Sequence, residues 1–454
     1  MKRQRIAWFS PLGGGTSSPD IASYVSRQVL PILRDHFEIV LFHSEVHSSD
    51  LYGLEQHHFL CAMREHQKCP FDLFFYQVED VPSSFFSRYH LGVAPGLVLF
   101  HHYRLLTPPS VAMHHSSFEP VIEIVHQRRS ELPPFMVWPE HRGPEARREL
   151  ALAGGLLFSQ YRAFEDYHHF SDPRLIAEPF VSYLPVPVTV SPLIQSSSNI
   201  CRSSHLKVGM TASPGMEGRA HKVLGALAHR HRVGPSDDVR LVWLIGSDER
   251  WRAEELIREY GVESSVELRE GRCPERWQQL LPEIDIAAHL HYSAFLSPYP
   301  YLAISIAHGI PVMASDPGEA PRLPESLTFG VRPGEHEANE ISLILARFAE
   351  HRANGHDIHV VAADGVVSPQ RALHPDGYHF SASSVAAELA LAFEIVARAM
   401  ASLAPRWSAL RSAAWRDIER QLASPGFTRL GGLAALGSLR SRSLESQQSE
   451  GVSP

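Results

Sequence analysis

The sequence predicts an α/β protein made of two successive parallel β-sheets. Short apolar runs alternate with amphipathic helical patterns along most of the chain. The runs are apolar at nearly every position, which is typical of parallel strands that helices cover on both faces. A polar, serine-rich segment at residues 191–205 divides this pattern into two series. We therefore expect two Rossmann-like domains, residues 1–190 and residues 206–380, joined by that linker.

The first series opens with a strand at residues 5–10, a loop that contains three consecutive glycines, a helix, and a second strand at residues 38–42. This order is the strand–helix–strand unit that begins a parallel sheet. The helix is predicted by apolar residues at helical spacing, namely Ile21, Tyr24, Val25, Val29, Leu30 and Leu33. Later apolar runs predict the other strands of this sheet, at residues 72–76, 96–100, 156–159 and, more weakly, 175–179.

The second series repeats the alternation. Apolar runs predict strands at residues 206–210, 239–245, 266–268, 285–291 and 311–315. Helical patterns predict helices at residues 220–230, 252–260, 277–281 and 302–307. Gly261 follows the second of these helices, where a glycine in the left-handed conformation commonly ends a helix. After residue 380 the pattern is helical over residues 381–436, and the polar tail at residues 437–454 should be disordered.

Composition sets limits on function class and location. The chain has 454 residues, 44% hydrophobic and 20% charged, which fits two globular domains and a tail. A formal net charge of −8 gives no general attraction to nucleic acid. The four cysteines are scattered without a Cys-x-x-Cys pair, so a reducing compartment is the simplest interpretation. We recognise neither a signal peptide nor a membrane-spanning pattern and expect a cytoplasmic protein, for which contact with the inner face of a membrane stays open.

Residues 296–325 read LSPYPYLAISIAHGIPVMASDPGEAPRLPE, which is a proline-rich turn, an apolar helix that stops at Gly309, and a short strand. This stretch resembles the nucleotide-sugar-binding turn of GT-B glycosyltransferases of the family-4 type (glycosyl transferases group 1). Two earlier segments, RIAWFSPL…DIASYVSRQVLPILRDHFEIVLF and FDLFFYQVED…GLVLFHHYRLL, resemble recurring segments of the same group. The resemblance covers about residues 5–350 in patches.

The resemblance implies a GT-B fold, in which two Rossmann-like domains face each other across a cleft and a C-terminal helix returns to the first domain. It implies a retaining transferase that moves a sugar from a nucleotide-diphosphate sugar to a glycan, lipid-linked or protein acceptor. The first domain would bind the acceptor and the second domain the donor. No Asp-x-Asp motif occurs, which fits the usual metal independence of GT-B enzymes, so we expect no cofactor and no metal ion.

The same stretch departs from the family at its carboxylates. The family usually has two glutamates eight positions apart here; the second falls on Ile304 and the first near Leu296 or Ser297. The middle segment has Glu79 and His102 where the family has glycine and aspartate. These losses favour a second hypothesis, a catalytically degenerate GT-B protein that is a partner or scaffold of an active glycosyltransferase. A third hypothesis, another GT-B enzyme such as a sugar-nucleotide epimerase, lacks a recognisable carboxylate set.

Two groups of predicted site residues lie in the first domain. Gly13, Gly14 and Gly15 follow the first strand, where backbone amides can approach an anion, and the resemblance places this loop opposite the donor. The alternative is a tight turn without a ligand. His101 ends an apolar strand, where α/β sheets bind ligands, and matches a family histidine near the reacting centre. A neutral imidazole could donate a hydrogen bond to a sugar hydroxyl; the alternative is a strand-end histidine that bonds internally.

In the second domain, Arg219 and Lys222 lie where the resemblance places a basic pair that neutralises the diphosphate leaving group. Arg219 is the stronger candidate because a guanidinium can hold a phosphate through two hydrogen bonds. The alternative for both is a solvated start of a helix. Gly246 and Arg272 match the positions at which the family reads the nucleobase.

The predicted diphosphate loop follows the fourth strand of the second series, and its alternative is a purely structural turn. Its predicted donor-binding residues are Ser297, Tyr299, Tyr301 and Leu302. Glu319, beyond the next strand, is a weak candidate to replace a lost glutamate. His289 and His291 share one face of a strand, but without a third ligand at a known spacing we do not expect zinc.

Overall fold

The computed structural model describes residues 3–12, 21–45, 53–102, 105, 147–170, 180–188, 205–215, 219–233, 238–290, 299–315, 327–332, 334–353 and 381–400. This part of the chain contains two parallel sheets, one in each half, with helices packed on both faces. The predicted α/β fold class is confirmed. The linker at residues 191–204 and the tail at residues 437–454 lie outside the described residues.

The first sheet has seven strands in the order β3-β2-β1-β4-β5-β6-β7. They are β1 (Arg5–Phe9), β2 (Glu38–His43), β3 (Glu55–His58), β4 (Leu73–Val78), β5 (Leu97–Phe100), β6 (Gly155–Phe158) and β7 (Phe180–Tyr183). The helices of this half are α1 (Ile21–Leu33), α2 (Ala62–Lys68), α3 (Phe85–Leu91), α4 (Arg147–Leu152) and α5 (Tyr161–Phe170). Strands β1, β4, β5 and β6 are buried at every position, as expected for strands covered on both faces.

The second sheet has six strands in the order β10-β9-β8-β11-β12-β13. They are β8 (Leu206–Met210), β9 (Val239–Ile245), β10 (Val266–Glu270), β11 (Ile286–His289), β12 (Val312–Ala314) and β13 (Thr328–Gly330). The helices are α6 (Ala220–Val233), α7 (Arg250–Tyr260), α8 (Pro274–Leu280), α9 (Tyr299–Ala307) and α10 (Glu337–Ala353). Gly261 has a φ of 64° and ends α7 in the predicted left-handed cap.

Residues 382–400, which we call α11, are helical and pack on the first sheet although they follow the second sheet in the chain. The Phe393 ring lies at centroid distances of 6.2 Å from Trp8, 5.4 Å from Phe37 and 5.2 Å from Phe75. Gly155 in β6 allows α11 to pack closely on the sheet, because a Cβ atom at this position would lie 2.7 Å from Cγ2 of Val396. The first sheet therefore receives part of its cover from the C-terminal region.

The order of strands fixes where each sheet can hold a ligand. In the first sheet the connections reverse direction between β1 and β4, and in the second sheet between β8 and β11. At such a point the loops at the carboxyl ends of adjacent strands diverge and leave a crevice. The halves also touch directly, since Arg27 on α1 and Glu275 on α8 form an ion pair of 3.3 Å. Among the described residues no helix is long and apolar enough to span a membrane.

Candidate functional site

A buried chain of polar side chains runs along the carboxyl edge of the first sheet. Its members are Ser10, Ser26, Gln77, His101 and Ser159. The Ser26 hydroxyl donates to Oγ of Ser10 at 2.9 Å and accepts from Nε2 of Gln77 at 2.7 Å. The other side of the Gln77 amide, Oε1, lies 2.8 Å from Nε2 of His101, and Nδ1 of His101 lies 3.2 Å from Oγ of Ser159. These hydrogen-bonded side chains therefore connect the ends of strands β1, β4, β5 and β6.

The geometry of these polar contacts shows which nitrogen of the His101 ring carries the proton. Oε1 of Gln77 can only accept a hydrogen bond, so Nε2 of His101 donates and Nδ1 accepts from the Ser159 hydroxyl. Burial, with a smaller contribution from His102, lowers the pKa of His101 to about 3. The ring is 0% exposed and neutral near pH 7. A catalytic role for His101 stays a prediction; its described contacts are those of an internally bonded strand-end histidine.

Two carboxylates bracket the glycine loop, although Gly13, Gly14 and Gly15 themselves lie outside the described residues. On the strand side, the backbone N–H of Leu12 donates to Oε1 of Glu45 at 2.8 Å. On the helix side, the backbone N–H of Ala22 donates to the buried carboxylate of Glu79. Glu79 stands where the resembling family has glycine, so a side chain of this protein places negative charge at the start of α1. An anionic ligand would meet that charge.

His102, the second departure in this segment, is also used internally. Its Nδ1 accepts a hydrogen bond from the backbone N–H of Asp80 at 3.1 Å. Asp80 in turn pairs with the buried guanidinium of Arg88, which also contacts Glu149, both at 3.2 Å. This edge of the first sheet is therefore tied together by internal polar contacts.

Arg219, the leading cation predicted from the sequence, is buried at the start of α6. It forms an ion pair with Glu337, the first residue of α10, and the two side chains are 0% and 1% exposed. The Arg219 backbone has a φ of 51°, a left-handed conformation that is uncommon outside glycine. Burial raises the pKa of Glu337, and the nearby Arg219 opposes that shift. In this arrangement the charge of Arg219 is balanced by a protein carboxylate.

Lys222 has a different environment from Arg219. Its Nζ donates to the backbone carbonyl of Gly334 at 3.4 Å in an exposed position. The carbonyl is neutral and does not balance the charge of Lys222, and that charge also acts to lower the pKa of the nearby Glu337. Next to it, burial lowers the pKa of His221 to about 4, with the charges of Lys222 and Arg219 acting in the same direction.

Gly246 and Arg272, two of the predicted donor-binding residues, lie at the carboxyl ends of β9 and β10. Both contact Glu249. Oε2 of Glu249 accepts from the backbone N–H of Gly246 at 3.1 Å and forms an ion pair of 2.9 Å with Nη1 of Arg272. Oε1 of Glu249 accepts from the Ser213 hydroxyl, in the loop after β8, at 2.9 Å. The Tyr301 hydroxyl in α9 donates to the backbone carbonyl of Arg272 at 3.2 Å. Three strand ends and one helix start therefore converge here; we call this set the Glu249 network.

Tyr301 and its neighbours connect that network to α9. Burial raises the pKa of Tyr301, so its hydroxyl keeps its proton and can donate. The Tyr301 carbonyl accepts from Oγ of Ser305 at 2.7 Å, and Ser305 also lies 3.0 Å from both Nε1 of Trp277 and Nε2 of His289. Tyr299 begins α9, and Ser297 lies outside the described residues.

Ile304 and Leu302 occupy the inner face of α9. Ile304 is 1% exposed and Leu302 is 6% exposed, and both belong to a large apolar core cluster. The position that the resemblance gives to a ribose-binding glutamate is thus an interior apolar position in this chain. Glu319, the weak substitute, lies outside the described residues.

One group of potential metal ligands occurs within the described ranges: Glu55, His57 and Glu65, at the β3 edge of the first sheet. Glu65 forms ion pairs with Lys68 at 2.9 Å and Arg64 at 3.2 Å, and the carboxylate is thus already balanced by cations. His289 hydrogen-bonds to a serine, and its partner His291 lies outside the described residues. We assign no metal-dependent step to these residues.

Gly246 and Arg272 were predicted as donor-binding residues from the sequence, which stays a prediction, whereas their contact partners Ser213 and Glu249 were not singled out. Glu249 could have been found from its place in the short segment Ser247–Glu249, which directly follows an apolar strand and begins a helical turn. The first turn of a helix has free backbone N–H groups that need an acceptor such as a carboxylate. Ser213 carried no comparable signal, because its partner lies 36 residues away.

Comparison with solved structures identifies the fold. The chain resembles the sucrose-phosphate synthase from Thermosynechococcus elongatus at 13% identity and a TM-score of 0.58, over 87% of this chain and 99% of that one. It resembles HepE from Anabaena, solved with UDP-glucose, at 15% identity and a TM-score of 0.52, over 88% of this chain and 100% of that one. A glycosyltransferase from Rickettsia africae matches at 11% identity and a TM-score of 0.52, over 87% of this chain and 99% of that one.

These structures are GT-B proteins, and the described part of this chain has the GT-B fold with its two α/β halves. No protein-family model matches the sequence, and no curated protein matches it either.

Proposed function

We propose that this chain is a glycosyltransferase that moves a sugar from a nucleotide-diphosphate sugar to a glycan, lipid-linked or protein acceptor. The observation that carries the proposal is the Glu249 network, which gathers polar groups beside the β8/β11 crevice of the second sheet. This is where an open α/β sheet offers a ligand site. The donor class is suggested by HepE, whose solved complexes contain UDP-glucose or UDP.

In this proposal the donor binds to the second half and the acceptor to the first. Lys222 supplies accessible positive charge for the diphosphate, while Gly246 and Arg272 border the base. Transfer follows a retaining, front-face route in which the departing phosphate helps to deprotonate the acceptor hydroxyl. The protein stabilises the charge of the leaving group, and closure of the two halves excludes water.

A second candidate function is supported by two specific observations. Ile304 is an interior apolar residue, and Arg219 is paired with Glu337 rather than open to a phosphate. Both favour a degenerate GT-B protein that binds an active glycosyltransferase and has no turnover of its own.

Calorimetric titration with UDP, GDP, ADP and their common sugar forms separates the two candidates. A transferase should bind one nucleotide saturably, and Lys222→Ala should weaken that binding roughly 10- to 100-fold, because one charge-assisted hydrogen bond is lost. Lys68→Ala is the matched control, since it removes an exposed lysine at the far edge of the first sheet. Arg219 is unsuitable for this purpose because its removal would leave Glu337 buried without its ion-pair partner.

Release of nucleoside diphosphate from the bound sugar donor then tests turnover. Saturable binding followed by release would support the transferase. No binding across the panel by the folded protein would instead support the degenerate partner, and co-purification would then be the way to find the transferase that it contacts.

A further inference from the structure

Glu249 is a partly exposed carboxylate held rigidly at the carboxyl edge of the second sheet. It lies just after β9 and reaches Ser213 in the loop after β8, which is one of the two loops that bound the β8/β11 crevice. Its side chain is 19% exposed. Most of the side chain is therefore buried among its partners, and a part of it is open to solvent.

The hydrogen-bonding capacity of this carboxylate is not exhausted. An ionised carboxylate offers about four acceptor positions, two on each oxygen. Oε2 accepts from the N–H of Gly246 and lies against the guanidinium of Arg272 in an ion pair. Oε1 uses one position for the Ser213 hydroxyl. Within the described ranges, one acceptor position on Oε1 is left for a further donor.

Capping of the helical turn that precedes α7 explains a part of this arrangement. The bond from the N–H of Gly246 is the capping contact. The contacts from Ser213 and Arg272 come from the ends of two other strands and add nothing to the cap. They fix the direction of the carboxylate, which is the kind of support that a binding group needs.

We propose that Oε1 of Glu249 accepts a hydrogen bond from a hydroxyl group of the donor substrate. This inference rests on the proposed function. The hydroxyl belongs either to the ribose of the nucleotide or to the sugar that is transferred, and both present the same chemistry to a carboxylate. The carboxylate accepts a charge-assisted hydrogen bond, which is stronger than one between neutral groups.

The test compares ligands that differ by one hydroxyl. Calorimetry would use whichever of UDP, GDP or ADP binds the wild-type protein, its 2′-deoxy and 3′-deoxy forms, and its nucleotide sugar. A hydrogen bond to a charged acceptor corresponds to a loss of roughly 10- to 100-fold when the hydroxyl is removed. Glu249→Gln puts an amide in place of one oxygen and should reduce that discrimination to less than about 3-fold.

Two further variants guard against a misfolded protein. Glu249→Asp keeps the charge but withdraws the oxygens, and it should lose discrimination in the same way. Glu254→Gln is the matched control, because Glu254 lies on α7, which directly follows Glu249, and pairs with Arg250 in an exposed position. It should keep the discrimination of the wild type, and thermal unfolding should show that each variant is folded.

The outcomes separate the two sources of the hydroxyl. If Glu249→Gln abolishes the preference for the ribo form over a deoxy form, the ribose is the partner. If it instead abolishes the difference in affinity between the nucleotide sugar and the nucleotide, the transferred sugar is the partner. Equal ratios in the wild type and Glu249→Gln for both comparisons would overturn the inference alone. Absence of any nucleotide binding by the wild type would overturn the proposed function together with it.

Discussion

Arg219 and Glu337 form an ion pair that is withdrawn from solvent, with side-chain exposures of 0% and 1%. The pair joins the start of α6 to the start of α10, and these two helices pack side by side on the second sheet. A guanidinium predicted to hold a diphosphate is therefore part of the internal structure of this half.

Removal of one partner of this pair should destabilise the protein strongly. Arg219→Met leaves the Glu337 carboxylate buried without its countercharge, which costs about 3–5 kcal/mol of the free energy of unfolding. The double variant Arg219→Met/Glu337→Leu should recover most of that loss. Urea unfolding followed by circular dichroism measures both. Equal stability of the single variant and the wild type would show that the pair is open to solvent.

Acid should destabilise the protein through His101. Its pKa is about 3 in the folded state, below the ordinary value of 6.5, so the folded state binds fewer protons than the unfolded chain between these values. The contribution to stability is complete above pH 6.5 and is lost as the pH falls toward 3. Between pH 7 and pH 5 the loss is about 2 kcal/mol for this residue.

Urea unfolding at both pH values, for the wild type and for His101→Gln, checks this. The variant cannot titrate and should lose about 2 kcal/mol less between pH 7 and pH 5. The same pH dependence in both proteins would contradict burial of the neutral ring.

Restoring the family's glutamate at position 304 should fail. Ile304→Glu places a carboxylate in an apolar core, and we expect a loss of more than about 3 kcal/mol of stability without tighter nucleotide binding. Ile304→Leu is the size-matched control and should cost less than about 1.5 kcal/mol. A stable Ile304→Glu protein that binds a nucleotide more tightly would mean that this side chain can face the crevice.

The contact of α11 with the first sheet predicts a fourth effect. Phe393→Ala empties a site between Trp8, Phe37 and Phe75 and should cost about 3–5 kcal/mol of stability. Leu391→Ala on the same helix is the control, because Leu391 is 56% exposed, and it should change stability by less than about 0.5 kcal/mol. Similar losses in both variants would contradict the packing of this helix.

The sequence was informative where burial is continuous. The six apolar residues that predicted α1, among them Ile21 and Leu33, are all buried. Strands β1, β8 and β9 lie at the apolar runs that predicted them. Strand β3 was missed because its sequence, Glu-Gln-His-His, is polar, as suits an edge strand. Strand β13 has three residues, too few for a periodic signal.

The site was less predictable, because its contacts join residues that are far apart in the chain. The sequence around Arg219 does not predict that Glu337 is its counterion, and the sequence around Ser213 does not predict its contact with Glu249. Composition and spacing describe which groups are available at strand ends. Which of them neutralise one another depends on the packing of helices from different parts of the chain.

The return of α11 to the first sheet has a consequence for biosynthesis. When the ribosome has completed β7 of the first half, about 200 residues still have to be added before the helix that covers Trp8 and Phe75 begins, an interval of roughly 10–40 s. Throughout that time the aromatic side chains that contact Phe393 in the folded protein lack this cover. A chain terminated after residue 188 should therefore aggregate or engage chaperones, whereas the full-length chain can complete both halves in one late step.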